Sequence, residues 1–92
     1  MKRVKVKIHG KVQGVFYRAN TRDTADELEI NGWVKNMPDG TVEAVFEGEN
    51  EKVDEMIEWC KKGSPASDVK KVDVQSEEKI ENKKFTGFEV RR

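Results

Sequence analysis

Val4, Val6 and Ile8 alternate with Lys5, Lys7 and His9, and the run then meets Gly10. Apolar residues at every second position describe a strand with one buried face. From about Ala19 to Ile30 the period changes. Thr21, Ala25 and Leu28 recur at helical spacing, with Asp23, Asp26, Glu27 and Glu29 mostly on the other side. Between the two lies Gly10-Lys11-Val12-Gln13-Gly14-Val15-Phe16-Tyr17-Arg18. A strand that enters a helix through so short a loop belongs to a layered arrangement in which the helix covers the sheet.

The loop has chemistry of its own. Glycines let a backbone turn tightly and approach a ligand closely. The first helical turn leaves N–H groups unpaired, with a partial positive charge. Such a loop can cradle an anion, and Arg18 at the junction offers a planar fork of donors suited to phosphate oxygens. The same residues also suit an ordinary turn with a solvent-facing arginine, paired at the surface with Asp23 or Asp26 for about 0–1 kcal/mol. Two familiar phosphate loops are excluded. The P-loop requires four residues between its glycines and then Lys-Ser/Thr, and the dinucleotide fingerprint requires G-x-G-x-x-G; neither pattern occurs here.

The rest of the chain continues the alternation. Asn31-Gly32 is a stop signal for the first helix. Trp33–Asn36 reads as a strand, Met37-Pro38-Asp39-Gly40 as a turn, and Thr41–Gly48 as the returning strand, with Val42, Ala44 and Phe46 on one face. Asn50 suits the N-cap of a second helix over Glu51–Lys62. Val53, Met56, Ile57 and Cys60 form its apolar stripe, and Gly63 suits its exit. Val69–Ser76 reads as a strand with Val72 and Val74 inward, Glu77–Lys84 as a polar loop, and Phe85–Arg91 as a last strand. The order implies an α+β, ferredoxin-like two-layer sandwich: βαββαβ with a mostly antiparallel sheet, two helices on one face and a short extra C-terminal strand.

Ninety-two residues suffice for a single domain, 1–92, with a modest core. Charged residues make up 39% of the chain, which points to ion-pair networks. The formal net charge is zero, which argues against bulk attraction to nucleic acid or to an anionic membrane. Yet residues 1–22 hold Lys2, Arg3, Lys5, Lys7, Lys11, Arg18 and Arg22 before the first helix's acids begin. They are consistent with a local positive field favouring a small anion, with a solvated strand face, or with both. Cys60 is the only cysteine, so no intrachain disulfide forms. No apolar run approaches a membrane span, and no signal peptide is visible, so the expected location is the cytoplasm.

The hairpin carries a second motif, Gly32-Trp33-Val34-Lys35-Asn36 followed by Gly40 and Val42. Read with the glycine loop, it strongly resembles the acylphosphatase family, which has a V-Q-G-V-x-F-R loop and a G-W/Y/F-V-K/R-N-x-x-x-G-x-V hairpin. Gly63-Ser64-Pro65-Ala66, Val69 and Val72 are similar to the family's later pattern, so the resemblance spans nearly the whole chain. One departure is visible: Tyr17 stands where the family usually has Phe, which keeps the ring provided the hydroxyl finds a partner. The resemblance implies hydrolysis of the carboxyl–phosphate bond of small acyl phosphates, without metal or other cofactor. It assigns Arg18 to phosphate binding, Asn36 to orienting the attacking water, and the backbone N–H groups of Gln13, Gly14, Val15, Phe16 and Tyr17 to the phosphate cradle. The expected partners are small acyl phosphates, with inorganic phosphate or other small anions as product or inhibitor. Neither nucleic acid nor membrane is expected as a partner, and the expected state is a monomer.

The residues agree with so economical a chemistry. His9 falls on the Lys5–Lys7 side of its strand, away from any base role, and no His/Cys/Asp/Glu set has metal-ligand spacing. No Ser-His-Asp arrangement can be assembled. An acyl phosphate needs little help, because its leaving carboxylate has a conjugate acid of pKa about 4. Phosphoryl transfer then rests on positioning and electrostatic stabilisation. Cys60, Trp33 and Trp59 read as packing residues. Two other functions compete: a single-stranded RNA reader, whose aromatic strand Lys84–Val90 resembles, but with the wrong spacing and no helix after it, and a ligand sensor that keeps the fold without turnover.

Overall fold

A computed structural model describes residues 1–92. The elements run β1 (Lys2–Lys11), α1 (Tyr17–Glu27), β2 (Asn31–Asn36), β3 (Val42–Gly48), α2 (Asn50–Lys62), β4 (Asp68–Lys79) and β5 (Phe88–Arg91). They form one five-stranded sheet in the order β4-β1-β3-β2-β5. The β1–β3, β1–β4 and β2–β3 pairs are antiparallel, and only β2–β5 is parallel. Helix α1 packs over β2 and β5, and α2 over β4, β1 and β3. This is the expected ferredoxin-like α+β sandwich with an added C-terminal strand.

The core lies between sheet and helices. Val4, Val6 and Ile8 from β1 meet Val42, Ala44 and Phe46 from β3, with Val53, Met56 and Cys60 from α2 above them. All nine side chains are fully buried. Phe46 stacks on Phe88 with ring centroids 5.8 Å apart. The basic run at the N-terminus is largely paired: Lys2 with Asp54 and Glu77, Arg3 with Glu47 and Glu78, Lys5 with Glu43, and Lys7 with Asp39. Arg22 pairs with Asp23 at 3.6 Å, so the positive field expected there is confined to Lys11 and Arg18, nearer the loop.

Several boundaries differ from the sequence reading. Helix α1 starts at Tyr17, two residues before the expected Ala19, because Phe16 takes a left-handed conformation (φ 60°, ψ 20°) and turns the chain into the helix at once. The helix ends ahead of Asn31-Gly32. Glu29, at φ 56°, takes the left-handed position usually given to glycine, and the N–H groups of Glu29 and Ile30 close back on Asp26 O and Ala25 O. Asn50 is inside α2, and Glu49 stands at the cap without a side-chain bond. Strand β4 runs on through Glu77–Lys79, which the polarity of that stretch had suggested as loop. Lys2, Arg3 and Val4 pair with it, and Arg3 and Lys2 neutralise Glu78 and Glu77 across the strands. Val74, expected inward, is 49% exposed, since β4 is an edge strand. Phe85 lies outside β5. The main-chain N–H groups of Lys84 and Phe85 donate to the buried Glu47 carboxylate instead of to a strand neighbour.

Candidate active site

The glycine stretch divides into two parts. Gly10 belongs to β1, where a Cβ would come within 2.2 Å of Asp68 O; its place there serves strand packing and not a ligand. Gly14 (φ 74°) has open space around it, so its backbone conformation is what requires glycine. Together with left-handed Phe16 it bends the loop so that the chain enters α1 abruptly. A left-handed non-glycine residue costs about 1–2 kcal/mol, and such strain gathers at functional loops. The N–H groups of residues 13 to 19 donate to no acceptor within the chain; the first helical bond is from Asn20 N to Phe16 O. Four of these groups, on residues 13 to 16, precede the helix, and the rest lie in its first turn, at the positive end of the dipole.

A cavity of about 330 Å³ opens at this point. Gly14, Phe16, Tyr17 and Arg18 line it from the loop and helix, Asn36 from the end of β2, and Val90 from β5. Arg18 makes no ion pair with Asp23 or Asp26; its Nη1 donates to Arg91 O at 2.9 Å, so the C-terminal strand holds the guanidinium at the cavity. Asn36 is the last paired residue of the hairpin, opposite Val42. Its side-chain oxygen is buried and accepts from no donor in the protein. Buried polar atoms are nearly always partnered, so an unpaired acceptor on a cavity-lining residue stands out in this fold.

The remaining loop residues support the site from outside the cavity. Val15 is buried, and its carbonyl accepts from Ser64 Oγ at 3.0 Å. Gln13 reaches the other way, to the β2–β3 turn. The Tyr17 ring lies 5.4 Å from that of Trp59, and its hydroxyl donates to Cys60 O at 2.9 Å, the partner that the departure from Phe requires. Burial pushes the Tyr17 hydroxyl well above the ordinary tyrosine value, and burial likewise pushes the Cys60 thiol up to about 12. Cys60 is thus a core thiol and no nucleophile. His9 pairs with Asp73 at 3.1 Å on the neighbouring strand. No three His, Cys, Asp or Glu side chains converge in a way that could hold a metal ion.

Sequence reasoning did not single out Arg22 and Val90 as site residues. Arg22 follows Arg18 by one helical turn and brings a second guanidinium to the cavity wall. That spacing was the signal available for it. Val90 depends on the parallel placement of β5 beside β2, and no local pattern encodes that.

The acylphosphatase family model matches residues 4–90, nearly the entire chain. The chain belongs to the acylphosphatase family. An acylphosphatase of Natronomonas pharaonis is 52% identical over 90 residues, covering 98% of this chain and 95% of its own. The crystal structure of acylphosphatase from Bacillus subtilis is 33% identical and superposes with a TM-score of 0.93, covering 100% of both chains. The acylphosphatase structure from Coxiella burnetii is 39% identical with a TM-score of 0.86, covering 98% of this chain and 92% of that one. Family and fold together make this chain an acylphosphatase-type hydrolase, acting on acyl phosphates. No helix is long and apolar enough to cross a membrane.

Proposed function

We propose that the cavity hydrolyses small acyl phosphates without metal, with Arg18 and the N–H groups of residues 13 to 17 holding the phosphoryl group and Asn36 orienting the attacking water. The single observation that carries this reading is the meeting of Arg18 and an orphan-acceptor asparagine at one cavity beside unpaired main-chain donors.

The chemistry follows from the donor set. Main-chain N–H groups and a guanidinium are preorganised for charge spread over the equatorial phosphoryl oxygens. The Asn36 carboxamide, at the cavity wall, hydrogen-bonds the attacking water and so aims the water's lone pair at phosphorus. A new water-oxygen-to-phosphorus bond forms as the bond to the acyl oxygen breaks, and the bonding pair leaves on the carboxylate. A carboxamide is no base, so the water's proton passes to a phosphate oxygen. The leaving carboxylate needs no general acid near neutrality. Inorganic phosphate, as product, competes for the same cradle. The reading takes residues 1–92 as one domain, active as a monomer in the cytoplasm, with no part for nucleic acid or membrane; a single sheet over a single core supports the domain assignment.

The test is metal-free turnover of benzoyl phosphate or acetyl phosphate by the purified protein. Asn36→Ala should retain phosphate affinity while turnover drops by about 10²-fold or more, the cost of a lost transition-state contact. Turnover unchanged by Asn36→Ala would refute the assigned role. No turnover of either substrate by the intact protein would favour the ligand-sensor reading.

A further inference from the structure

Gln13 belongs to the cradle through its main chain, but its side chain leaves the cavity. Nε2 donates to Met37 O and to Thr41 O, both at 2.8 Å. A carboxamide nitrogen carries two hydrogens, so its donor capacity is fully used on these two carbonyls. Neither carbonyl depends on it. Met37 O also accepts from Gly40 N at 3.1 Å, and Thr41 O from Met37 N at 2.8 Å. Asp39 further secures the turn by accepting from Thr41 N at 3.0 Å and pairing with Lys7 at 2.9 Å. The β2–β3 turn is therefore closed without Gln13.

What the amide adds is a direct link between two segments that the sheet joins only through β3, where Val42 stands opposite both Ile8 and Asn36. The loop follows β1 and the turn follows β2, and β3 lies between those strands. Asn36 immediately precedes Met37, one of the two carbonyls the amide holds. We propose that the Gln13 side chain is a positioning residue for hydrolysis: it sets the distance between the phosphate cradle and the Asn36 carboxamide. This rests on the reading in which Asn36 orients the water. A misplacement of about 1 Å costs on the order of 10²-fold in a reaction that depends on alignment.

The test is Gln13→Met, which keeps the length and removes both donors without adding charge. Turnover of benzoyl phosphate, inhibition by inorganic phosphate and thermal unfolding are measured for the parent, Gln13→Met, Asn36→Ala and the double variant. The expected result is kcat lower by about 10- to 100-fold, with the inhibition constant of phosphate within about threefold of the parent. In the Asn36→Ala background the same change should cost less than about threefold, since a residue that acts through Asn36 has nothing left to position. An unchanged kcat, an equal loss in both backgrounds, or phosphate binding weakened in proportion to kcat overturns the proposal. If neither Gln13→Met nor Gln13→Ala folds, the amide is structural and the proposal is likewise overturned. Parent turnover in Asn36→Ala sinks the water-orienting reading and this inference with it. An impaired Asn36→Ala beside a fully active Gln13→Met sinks this inference alone.

Discussion

Replacing Tyr17 by Phe removes one oxygen atom and leaves one carbonyl without a donor. Cys60 lies in the last turn of α2, where carbonyls run out of helical partners. The next available N–H groups do not serve it: Gly63 N turns back to Trp59 O at 2.7 Å, and Ser64 N donates to nothing in the chain. The Tyr17 hydroxyl, 2.9 Å away, is its only partner, and both residues are buried. Tyr17→Phe therefore incurs the cost of an unsatisfied buried acceptor, about 1–3 kcal/mol, and not merely the smaller net value of an exchanged hydrogen bond. The ring keeps its contact with Trp59, so little cavity is added. For a domain of this size each kcal/mol lowers Tm by about 4–8 °C, so a loss near 2 kcal/mol lowers it by about 8–16 °C. Thermal unfolding followed by circular dichroism, checked by urea titration, measures the change. A Tm within about 2 °C of the parent, or above it, would show that the hydroxyl does not support the carbonyl and would refute the reasoning.

Arg18→Ala should lose phosphate binding and turnover together, and Arg18→Lys should recover little of either, because an ammonium cannot reproduce the fork that faces the cavity and reaches Arg91 O; paired inhibition and turnover assays decide this. Inorganic phosphate should raise Tm in the parent, by the equivalent of about 2.7 kcal/mol at a hundredfold excess over Kd, and the shift should vanish in Arg18→Ala; an equal shift in both would place the bound anion elsewhere. Chelators should leave turnover intact, and strong inhibition by EDTA would overturn the metal-free mechanism. Alkali should destabilise the fold. Tyr17 and Cys60 hold their protons in the folded state, with Cys60 at about 12, while the unfolded chain releases them from the ordinary values of 10.0 for tyrosine and 9.0 for cysteine. Stability is then fully present below about pH 9 and falls as pH rises toward 12, because the folded state binds more protons across that window. Urea midpoints between pH 8 and 11 that stay level in the parent would contradict it.

The sequence showed the elements clearly where one face is buried and one is wet. Val4, Val6 and Ile8 alternate because helices cover only one side of β1, and the stripe on α2 is visible for the same reason. It failed where partners are distant. Glu77–Lys79 look like loop until Lys2 and Arg3 stand opposite them. Phe85 looks like strand until Glu47, far away in sequence, takes its N–H group. The start of α1 depends on a left-handed phenylalanine that no propensity favours. At the candidate site, Arg18 and the loop were legible as an anion-binding pattern, but nothing local in the sequence says that Asn36 shares their cavity. That juxtaposition comes from β3 lying between β1 and β2, which brings the ends of two separate segments side by side.

The donors around Gly14 and Phe16 are peptide hydrogens, and this shapes how such a protein can drift. Most exchanges at Val15 or Phe16 leave every one of those hydrogens in place. Proline is the exception at Phe16: it would delete a hydrogen and impose a negative torsion where the chain needs a positive one. In the proposed cradle, affinity for the anion is thus inherited as a handedness of the main chain, and only indirectly as a choice of side chains.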